Sequence, residues 1–185
     1  MTEKLPTGTV TLLMARVEGS ERLWQTEPDE TAAALPWLRA SMTHLTALND
    51  GALRAGHDAC DSFVATFGRA SDAVACALDL QLAPLEPFAL CIGLHTVEYT
   101  DLAGTDGAAR LRDLAHGGQT LVSGTTAALA ANRLPAYATL KPLGSHPLGD
   151  RQWHEPLFQL GHPGLRNHVE LLRAPSVVGA HHLSN

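Results

Sequence analysis

Nine consecutive residues, Thr9–Val17 (TVTLLMARV), constrain this chain more than any other stretch. The run is apolar and rich in β-branched residues, and it reads as a buried strand. Glu18-Gly19-Ser20 ends it, and Ser20 is placed to cap a short helix through Leu23 and Trp24. Pro28 to Asn49 reads as helical, with Leu38, Met42 and Leu45 on one face. Pro36 falls inside that stretch and should kink the helix or begin a new one, since proline lacks the amide donor.

Ala52 to Gly56 and Ser62 to Phe67 read as two strands joined by a turn at His57-Asp58-Ala59-Cys60. Ser71 to Leu82 reads as a helix with Ser71 as its N-cap and Val74 and Leu78 facing inward. Phe88 to Thr96 is a second buried strand. Asp106 to His116 reads as a helix stopped by Gly117-Gly118. Gln119 to Val122, Tyr137 to Leu140 and Leu157 to Leu160 read as further strands, with a short helix over Thr125 to Ala131. Beyond His162, Pro, Gly and His accumulate without periodicity, so a tail or linker is expected. The order predicts an α+β sandwich, with helices packed on a mostly antiparallel sheet.

Composition mainly excludes. The 185 residues carry a formal net charge of -6, which opposes direct nucleic-acid binding spread over the domain. Cys60, Cys76 and Cys91 form no CxxC pair, which fits a reducing cytoplasm better than a disulfide scaffold. The N-terminus lacks a signal-peptide layout, and no apolar run approaches the ~20 residues of a membrane span. The ten His are scattered, which argues against a histidine metal site.

Three segments carry a family resemblance. They are Leu5-Pro6-Thr7-Gly8-Thr9-Val10-Thr11 with Glu18-Gly19-Ser20 and Arg22-Leu23-Trp24; Asp61 to Phe67 (DSFVATF); and Ala108 to Arg112 followed by Ala115-His116-Gly117-Gly118-Gln119 and Ser123. In that order and spacing they resemble the class III adenylyl/guanylyl cyclase catalytic domain, with its ferredoxin-like sandwich. The subgroup most resembled is the N-terminal domain of actinobacterial LuxR-type regulators, in which ATPase and DNA-binding regions follow. The resemblance implies a cyclase homology domain over residues 1–163 and a tail or linker over 164–185. It also implies that this chain is a fragment or a free-standing remnant of such a regulator, with those downstream regions absent from it.

The resemblance further implies a homodimer with ATP as substrate, and Mg²⁺ or Mn²⁺ held by two aspartates. Two metal ions would stabilise the attacking ribose oxygen and the leaving pyrophosphate. Asp61 matches the hairpin aspartate, but Arg16 stands at the first-strand position. A guanidinium offers donors where a metal needs acceptors. Asp61 is therefore either a metal ligand or the partner of Arg16, and an Arg16–Asp61 pair is the favoured expectation. Glu18 and Asp58 are possible substitute ligands. His57 replaces the base-selecting lysine, and the second base selector has no counterpart in the shortened connection over residues 97–105. On the implied transition-state helix Arg110 is retained and Asp106 replaces an asparagine, one helical turn apart. Arg110 could meet phosphate charge or pair with Asp106 or Asp113. His95-Thr96 matches a feature read as structural. Three functions follow: an inactive dimerisation or regulatory module in signalling or transcription control, which is favoured; a weak adenylate cyclase making cAMP; and a non-catalytic nucleotide sensor.

Overall fold

The computed structural model describes residues 8–54, 61–98, 105–147, 154–165 and 172. Seven strands form one sheet: β1 (Thr9–Val17), β2 (Gly51–Leu53), β3 (Ser62–Phe67), β4 (Leu90–Glu98), β5 (Thr120–Ser123), β6 (Thr139–Pro147) and β7 (His154–Gly161), in the order β2-β3-β1-β4-β5-β7-β6. Every neighbouring pair is antiparallel except β4 with β5. Five helices accompany it: α1 (Ser20–Thr26), α2 (Pro28–Leu48), α3 (Ala70–Leu82), α4 (Thr105–Leu114) and α5 (Gly124–Ala130). The expected α+β sandwich is therefore the observed one.

Strand β1 sits in the middle because it is apolar on both sides. Side chains alternate along a strand, so Leu13, Ala15 and Val17 enter the main core while Leu12 and Met14 face the other layer. The main core is completed by Leu38 and Met42 of α2, by Ala73, Val74 and Ala77 of α3, and by Ala127 and Ala130 of α5. On the opposite face, α4 lays Ala108, Leu111 and nearby Ala115 against β1, β4 and β5. Gly93 of β4 makes that docking close. A Cβ built there would lie 2.5 Å from both the Ala108 carbonyl oxygen and the Arg112 backbone nitrogen.

Several local expectations change. Helix α2 is one continuous element through Pro36, so no new helix begins there. Proline removes one amide, but Leu38, Ser41, Met42 and Thr46, all buried, hold the C-terminal part on the core. Ser71 is not the N-cap of α3. The helix begins at Ala70 from an extended Arg69 with no side-chain cap. Nor does the Ser20 side chain cap α1, since Gly19 occupies that position in a left-handed conformation. Strand β6 lies later and runs longer than expected. Tyr137 has φ 64 and belongs to the preceding turn, and the mostly exposed edge strand carries Pro142, Gly144 and Pro147, which hide a strand pattern. The β2 expectation reaches into residues 55–56, outside the described residues. Beyond β7, Leu165 packs on the main core and Leu172 on the α4 side of the sheet.

Candidate functional site

The ladder of β1 with its neighbours decides what Arg16 can touch. Arg16 lies opposite Ser62 of β3 and Cys91 of β4, on the same face as Leu12 and Met14. That is the face α4 covers. The Arg16 guanidinium accordingly meets Asp113 on α4, with Nη1 at 3.2 Å from Oδ1. Arg112 Nε donates to the same oxygen at 3.2 Å. Asp113 thus serves two cations.

This corrects the expected Arg16–Asp61 pair. The next rung of the ladder places Asp61 beside Val17, whose amide donates to the Asp61 carbonyl at 2.9 Å. Alternation turns the Asp61 side chain away from Arg16, and its Oδ2 accepts from Ser20 Oγ at 2.9 Å. Asp61 therefore ties the hairpin to the start of α1. The Glu18 carboxylate lies against Gly117, where a Cβ would overlap it. His57 and Asp58 lie outside the described residues, as does most of the 97–105 connection. Asp106 falls in the first turn of α4, with its side chain outside the description. Arg110 is exposed on α4 and has no ion pair with Asp113.

Magnesium or manganese does not fit these donors. Such ions require several oxygen ligands around one point. Here Asp61 is bonded to Ser20, Glu18 is placed at Gly117, and the remaining position presents a guanidinium. Among the described residues no group of three His, Cys, Asp or Glu could hold a metal ion. Burial pushes the Cys76 thiol up to about 12 and keeps it protonated.

A second polar assembly lies inside the fold. His95 Nδ1 and Ser123 Oγ are 2.8 Å apart. Ser123 meets Thr126 Oγ1 at 3.0 Å, Thr126 meets Thr96 at 2.9 Å, and Thr96 meets Thr11 at 2.9 Å. All five residues are buried. The chain of contacts stitches β4, β5, α5 and β1 together. The His95 ring also packs against Gly107, in the first turn of α4. Sequence reading found the His95-Thr96 pair but not the network. The one available signal was the presence of hydroxyls at strand and helix ends.

Burial lowers the His95 pKa, and the charge of Glu155 partly opposes that shift. The unfolded chain takes up this proton below about pH 6.5 while the folded chain resists it. The unfolded state then binds more protons, so stability is complete above about pH 6.5 and falls as pH drops below it. The melting temperature is expected to decrease between pH 7 and pH 5.5, and His95→Gln should flatten that slope. An equally steep slope in the variant would exclude His95 as its source.

Comparison with known proteins places this geometry. No sequence-family profile matches the chain. It is 47% identical over 174 residues to the uncharacterized protein Rv0891c of Mycobacterium tuberculosis, covering 91% of this chain and 61% of that one. It is 42% identical over 175 residues to the uncharacterized protein Rv1359 of the same organism, covering 89% of this chain and 70% of the relative. The chain thus spans 61% of the length of the first of these relatives. A solved adenylate cyclase of Trypanosoma brucei in its monomeric state superposes with a TM-score of 0.73 at 21% identity, covering 93% of this chain and 97% of that one. Solved guanylyl cyclase domains share the architecture as well. The fold is that of the class III nucleotidyl cyclase domains. No helix among the described residues is long and apolar enough to cross a membrane.

Proposed function

We propose a function for this chain on one premise: it belongs to the family of the Mycobacterium tuberculosis protein Rv1359. Within that family it is a non-catalytic cyclase-fold domain that pairs with a second copy and acts as a dimerisation or regulatory module. The observation that carries this reading is Arg16. It stands on β1 where the resemblance implies a metal-binding carboxylate, and its charge is engaged by Asp113. A dication brought to that point would meet a guanidinium, and the one retained acid, Asp61, is bonded to Ser20. Losing a metal carboxylate removes several kcal/mol of transition-state stabilisation, and each ~1.4 kcal/mol is tenfold in rate. Replacement of the base-selecting lysine by His57 and of the asparagine by Asp106 adds to that loss. The fold and its pairing surface can outlast the chemistry, since core packing and site chemistry are separable.

Purified protein given ATP and Mn²⁺ is expected to form no cAMP above a protein-free blank. Turnover abolished by Asp61→Ala would overturn the non-catalytic reading. Light scattering should report a dimer, and a strict monomer at high concentration would remove the dimerisation role.

A further inference from the structure

We propose that the seam between β1 and α4 binds a phosphorylated anion presented without a divalent metal. This rests on the reading that the cleft has lost its metal chemistry, and it adds what the cleft now recognises.

Two guanidiniums converge there on one carboxylate oxygen. Arg16 and Arg112 each lie 3.2 Å from Asp113 Oδ1. Within this trio one negative charge faces two positive ones, a formal charge of +1, while the Glu18 carboxylate, on the same face of the strand, is held against Gly117. Each guanidinium carries five N–H donors in a planar fork suited to phosphate oxygens, and Asp113 engages one nitrogen of each. The trio is reachable from solvent: the Arg16, Arg112 and Asp113 side chains are 33%, 19% and 51% exposed. Ser62, opposite Arg16 on β3, brings a half-buried hydroxyl to the same face. Asp61, the acid at the end of that hairpin, is turned to Ser20 and does not oppose an anion at the seam. Arg110 adds an exposed cation on the same helix.

A tetrahedral oxyanion can bridge Arg16 and Arg112 alongside Asp113 or in its place, with Ser62 donating a further hydrogen bond. Phosphate oxygens already coordinated by Mg²⁺ are poorer acceptors, and they bring a dication toward two guanidiniums. The seam is thus selective for the metal-free form, the opposite preference to a metal-dependent nucleotide site.

Isothermal titration with inorganic triphosphate in EDTA tests this directly. Saturable binding is expected, weakened at least tenfold by excess Mg²⁺. Arg16→Gln and Arg112→Gln should each weaken it tenfold or more without lowering the melting temperature of the free protein by more than a few degrees. Arg133→Gln, on a separate surface turn, should leave it unchanged. If one seam variant fails to fold, the other still decides. Absence of triphosphate binding overturns the proposal, as does equal weakening by Arg133→Gln, which would mark nonspecific charge attraction. Binding of ATP but not triphosphate also overturns it, because recognition would then lie with the base. These failures leave the non-catalytic reading standing. Binding of ATP that requires Mg²⁺ and is accompanied by cAMP formation overturns both.

Discussion

Gly93→Ala is expected to destabilise the fold by about 3 kcal/mol, at the upper end of the range for overpacked cores. The reason is what the new methyl group would meet. Most overpacking substitutions press on side chains, which can rotate away. Here the obstacles are the Ala108 carbonyl oxygen and the Arg112 amide nitrogen, both at 2.5 Å, with Leu111 Cβ at 2.8 Å. Backbone of an intact helix cannot yield locally, so α4 as a whole must lift from the sheet. Lifting it would also loosen Leu111 and Ala115, both wholly buried, and draw Asp113 away from Arg16. For a domain of this size the melting temperature should fall by about 6–12 °C. Affinity for triphosphate should fall with it, because Arg112 and Asp113 move with α4. A variant that melts within about 2 °C of the parent would show that α4 rides on the sheet more loosely than its packing indicates.

Ser123→Ala is expected to have a comparable effect, about 3 kcal/mol, for a different reason. Ser123 is fully buried, and besides meeting Thr126 Oγ1 its hydroxyl does two further jobs. It accepts from the Thr126 amide at the start of α5, at 3.5 Å, and it pairs with His95 Nδ1. Loss of a helix cap costs about 1 kcal/mol. Leaving a buried polar atom without its partner costs about 1–3 kcal/mol more. Thr126 keeps its contact with Thr96, so the deficit falls mainly on the His95 ring. The loss should therefore couple to residue 95. Removing the ring by His95→Gln in the Ser123→Ala background should cost less than it does in the parent. Strict additivity in a double-mutant cycle would mean that the two side chains do not act together.

Much of the fold was legible because its signals are local. β1 was readable to its end residues, and β3 likewise, because apolar and β-branched runs mark buried strands whatever surrounds them. The start of α2 was readable from Pro28, which suits a first helical turn. The misreadings fall where surroundings override local preference. Pro36 does not end α2, because the buried residues that follow it keep that part of the helix on the core. β6 is mostly exposed and pairs only with β7, so nothing in its own sequence enforces alternation. The site divides in the same way. That Arg16 interrupts an acidic position was visible at once, and strand alternation even fixes the face it occupies. Its partner was not visible. Asp113 reaches Arg16 only because Gly93 lets α4 settle closely on the sheet, a contact between distant segments. Whether Asp61 turns toward Arg16 likewise depended on the register of β1 with β3, which places Ser62 opposite Arg16 instead.

The central place of the first strand has a consequence for how the chain is made. β1 leaves the ribosome before both of its neighbours in the sheet, which come much later: Thr11 pairs with Phe67, and Thr9 with Glu98. Until both have emerged, an apolar strand with two unsatisfied edges waits in the nascent chain. Such segments are prone to mispairing and aggregation during synthesis. Delayed or interrupted translation upstream of β4 should therefore harm yield more than an equal delay after it, even though both produce the same finished molecule.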